Sequence, residues 1–161
     1  MTPAIVHLYH HNNWANAKLI EVLAQQPEAV LEATAPGSYG KIGETLVHLV
    51  AAQERYVSRL TATERPEAVK ESGGWQGFEP LRTSLEWSGY ELTKLAEKTP
   101  DTAYRDTEYQ GRPVKLMYAT VLAQAINHAT EHRVNITTIL AAEGIEHPEL
   151  DAWAYGEETW P

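Results

Sequence analysis

Two histidines lie four residues apart in the segment 127–133 of this 161-residue chain, at His128 and His132. On a helix, residues at this spacing lie one turn apart and point within about 40° of one another. Stacked imidazoles on an inward face can share one divalent ion, whereas two buried imidazoles without a shared partner are hard to satisfy. The pair therefore predicts a metal site, with core histidines bonded to backbone or to each other as the alternative. Apolar residues fall on the same side of the helix: Met117, Val121, Ala125, Ile136 and Ile139.

His48 is the third candidate ligand, and the residue pattern alone does not place it in a site. The apolar stripe of its segment is centred on Leu46, and His48 points about 200° away from that centre. Periodicity indicates that His48 faces outward or into a cleft. The default interpretation is a solvated surface histidine. The small residues Ala51 and Ala52 share its side and favour close approach by another helix.

Four long amphipathic segments predict an all-α fold, a four-helix bundle formed by one domain over residues 1–161. Proline or glycine near the ends of these segments supplies the expected helix breaks. The segment 104–114 predicts a short hairpin or irregular excursion before the last long helix, and the segment 61–77 predicts a loop. The expected helices span approximately 3–26, 39–60, 78–98 and 115–143.

Composition restricts the classes of partner and ligand. Cysteine is absent, so any metal must be bound by imidazole, carboxylate or amide groups. The formal net charge of -9 argues against nucleic acid and anionic membrane surfaces, which require a basic patch. No apolar run approaches the roughly 20 residues of a membrane span, and the first residues do not resemble a secretory signal. We therefore expect a cytoplasmic protein with no nucleic-acid or membrane partner.

Three segments together resemble the DinB family of helical-bundle proteins, also called DinB/YfiT-like metalloenzymes. Residues 11–16 are similar to the aromatic-and-asparagine signature near the start of that family. Residues 43–54 are similar to its helix that carries a single histidine and, six residues later, a glutamate. Residues 127–133 are similar to its paired histidines four apart. Each motif is weak alone, but their order and spacing together are fairly specific. The resemblance extends over nearly the whole chain.

The resemblance implies a four-helix bundle, often dimeric, in which three histidines bind nickel, zinc or a similar divalent transition metal. The positions of the family match His48, His128 and His132, and none of the three is substituted. It is this resemblance, and not periodicity, that adds His48 to the candidate ligands. Some members of the family are thiol-dependent transferases or isomerases, others are called hydrolases, and many have no known reaction.

Three imidazoles leave a coordination position open, whereas closed structural sites usually have four protein ligands. An ion with an open position lowers the pKa of bound water to about 7 or holds a thiol as thiolate. Together with the resemblance to the family, this predicts a metal-dependent transferase or hydrolase that acts on a small molecule, with a thiol as candidate substrate. The resemblance, the apolar stripes and the aromatic tail also predict a homodimer. The alternative is a non-catalytic helical binding module with a structural metal or inert histidines.

Carboxylates near the candidate ligands leave two further alternatives open. His128, Glu131 and His132 match the H-x-x-E-H pattern of inverted zinc metallopeptidases, with the glutamate as general base. Too few residues remain after His132 for the distant third ligand of that class, so a peptidase is the weaker interpretation. A fourth ligand from Glu44, Glu54 or Glu131 would instead favour a structural metal.

The remaining histidines and the aromatic tail receive separate interpretations. We expect His7, His10 and His11 to lie on the surface or at a pocket rim, with an accessory contact from His11 as the alternative. His147, beside a proline, predicts a loop residue. The tail is aromatic enough that we expect it to pack over the bundle or to meet a second subunit, through Trp153, Tyr155 and Trp160.

Overall fold

The computed structural model describes residues 3–63 and 69–160 and confirms the predicted all-α bundle with a hairpin before its last long helix. Part of the predicted loop, including Pro66, lies outside the described residues. The long helices are α1 (Ala4–Ala24), α2 (Ile42–Thr61), α3 (Phe78–Lys98) and α4 (Tyr118–Ala142). The smaller elements are two 3₁₀ turns (Glu28–Glu32 and Glu71–Gly73), β1 (Tyr104–Tyr109), β2 (Arg112–Met117) and a short α5 (Ala152–Thr159).

The long helices pack so that α1 and α2 each contact both α3 and α4. Two apolar clusters result, one toward each end of the bundle. The first is centred on Leu19, Leu46 and Ile136, and the second on Tyr9, Leu60 and Leu92. Burying such side chains contributes most of the free energy that holds the helices together. No helix within residues 3–63 or 69–160 is long and apolar enough to cross a membrane.

A buried polar layer separates the two apolar clusters along every long helix. The Arg133 guanidinium donates hydrogen bonds to the side-chain oxygens of Asn12 and Asn16, each at 2.7 Å. Both asparagines donate to Gln53, which in turn donates to Ser88 at 2.9 Å. The layer thus links α1, α2, α3 and α4, because each helix contributes at least one member. Its members are Asn12, Asn16, Gln53, Ser88 and Arg133.

Local backbone chemistry sets the ends of the two helices that carry the candidate ligands. The Glu44 carboxylate, in the first turn of α2, accepts a hydrogen bond from the Lys41 backbone N–H at 3.4 Å. At the end of α4, Gly144 adopts a φ of 70°, which only glycine adopts without strain. The Ile145 N–H then bonds back to the Leu140 carbonyl at 2.9 Å, which closes the helix.

The hairpin confirms the predicted excursion but corrects the start of α4. Gln110 and Gly111 form its two-residue turn with φ values of 52° and 75°, the geometry that suits tightly connected antiparallel strands. Residues 115–117, predicted as the first turn of α4, are instead strand residues of β2. Lys115 pairs with Asp106, and Met117 pairs with Tyr104, so their backbone groups serve the strand ladder. Met117 is therefore half exposed and not on the inward face of α4.

The tail folds back as α5, which contacts α1. The Glu158 carboxylate accepts a hydrogen bond from the Trp14 indole at 3.0 Å and forms an ion pair with Lys18. Asp151 caps α5 by accepting hydrogen bonds from two backbone N–H groups. Trp153 and Trp160 remain 67% and 58% exposed, so the packing covers only part of the aromatic tail.

Candidate metal centre

His128 and His132 lie one turn apart on α4, as their spacing predicts. Their Nε2 atoms are 3.2 Å apart, and their ring centres are 4.4 Å apart. His132 is 6% exposed, whereas His128 is only partly buried. Burial of Ala125, Ala129 and Ile136 on the same helix shows that α4 turns this side toward the bundle.

His48 reaches the pair from the neighbouring helix α2. Its Nε2 lies 3.1 Å from the Nε2 of His128, and its side chain is only 18% exposed. The side of α2 opposite its apolar stripe is covered because α2 packs against two helices and not one. Ala51 and Ala52, 2% and 3% exposed, are the small residues expected where helices approach closely. The surface-histidine interpretation is thus wrong, and the cleft-facing one is confirmed.

The three imidazoles form a cluster with a hydrogen-bonding deficit, because not all of their close nitrogen–nitrogen contacts can be well-aligned hydrogen bonds. The ligand nitrogens of His48, His128 and His132 all lie within 4.8 Å of one another. An imidazole nitrogen carries either one N–H or one lone pair, so His128 Nε2 makes at most one well-aligned bond to its two neighbours. In addition, His132 Nδ1 is buried and has no hydrogen-bond partner among the residues described. A shared cation would remove this deficit at the Nε2 atoms.

The spacing of the nitrogens also fits a transition-metal ion. Imidazole nitrogens bind zinc at about 2.0–2.1 Å, so two of them at a tetrahedral angle lie about 3.3 Å apart. His128 Nε2 lies 3.1 Å from His48 Nε2 and 3.2 Å from His132 Nε2, and both distances are close to that value. Within residues 3–63 and 69–160, this is the group of histidine and carboxylate side chains that could hold an ion.

The electrostatics keep the α4 histidines in the neutral form that binds metals. Burial, with smaller contributions from the nearby His132, His48 and Arg55 side chains, lowers the pKa of His128 to about 4. Burial also lowers the pKa of His132, with a smaller contribution from His48. Neutral imidazoles near pH 7 offer lone pairs, so an ion need not first displace protons from these rings.

Two residues that the sequence did not nominate contact the outer nitrogen of His48. Its Nδ1 lies 2.9 Å from the Tyr39 hydroxyl and 3.0 Å from the Glu71 carboxylate. Burial alone would raise the pKa of Glu71, but hydrogen bonds from His48 and Arg55 outweigh it and lower the pKa of this carboxyl. Glu71 lies outside the long helices, and Tyr39, predicted as the first residue of the second helix, precedes α2, which begins at Ile42.

The other candidate carboxylates do not join the imidazole cluster. Glu44 turns toward the backbone at the start of its own helix. Glu54 is buried and accepts hydrogen bonds from the Val69 backbone and the Ser84 hydroxyl. Glu131 is exposed and accepts a hydrogen bond from Asn127, 3.4 Å away on the same helix.

The first-helix histidines correct one expectation. His7 and His10 are exposed, as expected, but His11 is 8% exposed and its Nε2 lies 2.8 Å from the Leu150 carbonyl. Its burial follows from the tail, which folds over α1 and which periodicity could not position. His11 therefore contacts the tail and lies outside the imidazole cluster. His147 is a loop residue, as predicted.

The fold and the clustered histidines define a class: helical bundles with three imidazoles at the interface of two helices. The sequence model of the DinB family matches residues 1–160. The chain belongs to the DinB family, which confirms the resemblance found in its motifs.

A solved structure supports the fold. The crystal structure of a DinB-like protein from Bacillus cereus ATCC 10987, determined at 2.01 Å resolution, is similar with a TM-score of 0.67. The likeness covers 90% of this chain and 94% of that chain at 17% sequence identity, so it shows the shared fold alone. No curated protein matches the sequence.

Proposed function

We propose that this protein binds one divalent transition metal ion, with zinc or nickel as the leading candidates, through His48, His128 and His132. The observation that carries the proposal is a cluster of three imidazoles whose ligand nitrogens lie within 4.8 Å of one another and in which His128 Nε2 can form only one well-aligned hydrogen bond to its two neighbours. Imidazole ligands suit both metals, and the chain has no cysteine that would favour one of them.

We further propose that the centre is that of a metal-dependent transferase or hydrolase acting on a small molecule, with a thiol as candidate substrate. Three ligands are one fewer than closed structural sites usually have, and no described carboxylate joins the cluster. A bound ion would supply Lewis acidity, lowering the pKa of a water or thiol that enters its free position. The three histidines would hold the ion, and the burial of His132 would restrict access of water on its side of the cluster.

A second candidate function is a non-catalytic interaction module, and the exposed aromatic tail favours it. Trp153 and Trp160 stack edge to face at 5.4 Å on the outside of α5. Such exposed aromatic surface is typical of protein contacts, including the homodimer that we also propose. Under this alternative the metal would be structural or absent, and the tail would carry the function.

Elemental analysis of protein purified without a histidine tag tests the metal proposal against an interaction module with inert histidines. We expect close to one equivalent of divalent metal per chain, or one equivalent after dialysis against a zinc buffer. His10→Ala is the matched control, because it removes an exposed histidine outside the cluster. A protein that takes up no metal under either condition would favour the interaction module.

Cobalt substitution tests the open position. The visible spectrum of the cobalt-loaded protein should change when a small thiol is added, because soft sulfur suits such ions and a free position lets it enter. Circular dichroism recorded in parallel checks that the protein stays folded. An unchanged cobalt spectrum in a folded protein would indicate a closed site and remove the thiol-transfer proposal.

A further inference from the structure

His48 has two possible partners at the nitrogen that faces away from the cluster. Glu71 Oε2 lies 3.0 Å and Tyr39 Oη lies 2.9 Å from its Nδ1. These partners are chemically different, because an ionised carboxylate only accepts hydrogen bonds, whereas a phenol hydroxyl both donates and accepts. The Glu71 contact therefore favours a proton on Nδ1, whereas the Tyr39 contact is compatible with either position of the single proton of a neutral imidazole.

With the proton on Nδ1, His48 donates to Glu71 and its Nε2 presents a lone pair to the cluster. With the proton on Nε2, Nδ1 accepts from the Tyr39 hydroxyl, but its lone pair then faces the lone pairs of Glu71 at 3.0 Å. In that second arrangement an N–H points toward His128 Nε2, 3.1 Å away, and occupies the place of a metal ion. The first arrangement is the one competent to bind a metal.

We infer that Glu71 is a positioning residue of the metal centre, holding the proton of His48 on Nδ1 so that Nε2 is free for the ion. The inference rests on the proposed metal binding and adds a residue outside the three ligands. Carboxylates that accept from the second nitrogen of a ligating histidine fix its tautomer and orientation, and their loss weakens metal binding.

The position of Glu71 is itself secured by α2. The Arg55 guanidinium pairs with the other carboxylate oxygen of Glu71. Two residues earlier, the Val69 backbone N–H donates to the buried Glu54 carboxylate at 2.8 Å. Glu54 lies six residues after His48 on α2, so one helix carries both the ligand and the anchor of the segment that orients it.

Tyr39 approaches from the other side and is not expected to select a tautomer. Its backbone N–H donates to the Asn135 side chain of α4 at 3.0 Å, which holds its ring against His48 and His132. Its hydroxyl can donate to an unprotonated Nδ1 or accept from Nδ1–H, so it can bond to either tautomer of His48. Removing the Tyr39 hydroxyl should therefore not weaken metal binding, even though it lies as close to His48 as Glu71 does.

The test compares zinc affinities, measured by competition with a chromophoric chelator, for wild type, Glu71→Ala, Glu71→Gln and Tyr39→Phe. We expect Glu71→Ala to weaken binding by about 10–100-fold. Glu71→Gln should lose less, because its amide oxygen still accepts from Nδ1–H, and Tyr39→Phe should lose nothing. The matched control is Glu79→Ala, which removes the same charge from an exposed glutamate paired with Arg82.

A second measurement needs no metal. Long-range proton–nitrogen spectra of the metal-free protein report which nitrogen of His48 carries the proton. We expect Nδ1 in the wild type and Tyr39→Phe, and a shift toward Nε2 in Glu71→Ala. This readout keeps the inference testable even if Glu71→Ala folds poorly, because the wild type and Glu71→Gln suffice.

The outcomes separate this inference from the proposed function. Zinc binding in the wild type with equal affinity in Glu71→Ala, or a wild-type His48 proton on Nε2, would overturn the role of Glu71 alone. A wild type that binds no zinc would overturn the metal proposal, while the spectra would still show where Glu71 holds the proton.

Discussion

The buried polar layer and the imidazole cluster both place polar side chains between the same helices, but they differ in how those side chains are satisfied. In the layer, the Arg133 guanidinium donates to the side-chain oxygens of Asn12 and Asn16, and both asparagine amides donate to the Gln53 oxygen. In the cluster, His128 Nε2 must serve two neighbours and His132 Nδ1 has no described partner.

This difference in hydrogen bonding indicates which of the two regions binds a ligand. Buried polar groups in folded proteins are generally hydrogen-bonded, so a fully bonded layer is explained by the fold that it stabilises. The hydrogen-bonding deficit of the cluster has no such explanation in the fold. The layer is therefore assigned to stability, and the deficit in the cluster supports the proposed metal binding.

The largest expected effect comes from removing the cation of the layer. Arg133→Met would leave the side-chain oxygens of Asn12 and Asn16 without their 2.7 Å donor. Leaving two buried acceptors unsatisfied should lower the free energy of unfolding by about 3 kcal/mol or more. Urea denaturation of the metal-free protein measures this change in the free energy of unfolding. The control is Arg82→Met, which removes an arginine outside the layer.

The same experiment distinguishes the layer from the cluster. The metal-free double variant His128→Ala, His132→Ala should lose much less stability than Arg133→Met, because it removes contacts that are poorly bonded already. A double variant as unstable as Arg133→Met would mean that the imidazoles serve the fold in the same way as the layer.

The next effect is the gain in stability on adding metal. An ion that binds only the folded state stabilises it by about 2.7 kcal/mol at a free concentration of about 100 times Kd. We expect zinc to raise the melting temperature of wild type and Arg133→Met alike, because the layer does not touch the ion. Zinc should leave the His128→Ala, His132→Ala variant unchanged, and a comparable rise there would refute the assignment of the cluster.

The sequence predicted those features of the fold and the cluster that depend on local patterns, and not those that depend on contacts between distant segments. The long helices and the His128/His132 pair follow from periodicity and from helix breaks, which are local signals. Residues 115–117, predicted as the start of the last helix, belong to β2 and pair with residues of β1 that lie up to thirteen positions earlier. Whether they form strand or helix therefore depends on that pairing. Local pattern could not decide it.

The neighbours of His48 show the same limit more sharply. Its side of α2 is covered because α4 packs there, and this follows from the arrangement of the bundle and not from the α2 sequence. Only the family resemblance added His48 to the site. Tyr39 and Glu71 come from connecting segments, where no periodicity exists, so only the folded chain could bring them to its Nδ1.

A smaller effect is expected in how the stability of the metal-free protein depends on pH. The pKa of His128 falls from 6.5 to about 4 on folding, so between these values the unfolded chain binds a proton that the folded chain does not. The stability of the metal-free protein should therefore be greatest above pH 6.5 and should decline as pH falls toward 4.

Urea denaturation at pH 7 and pH 5 in the presence of a chelator measures this decline. His128→Gln should show a weaker dependence on pH, because it lacks the group whose pKa changes. A metal-free wild type that is equally stable at both values would contradict the burial of the neutral imidazole.

The smallest effect is expected at Glu131, which the H-x-x-E-H pattern nominated. Its carboxylate accepts a hydrogen bond from Asn127 and does not join the cluster. Glu131→Gln should therefore bind zinc with the affinity of the wild type in the same chelator competition. A tenfold or greater loss would make Glu131 part of the centre and would reopen the peptidase interpretation.

The most direct test of the metal centre is calorimetric titration of the untagged, metal-free protein with zinc at neutral pH. The account predicts one equivalent bound per chain, with no binding at the cluster in the His128→Ala, His132→Ala variant. The His10→Ala control should behave as the wild type does. A wild type that binds no zinc, or a double variant that still binds one equivalent with unchanged affinity, would contradict it.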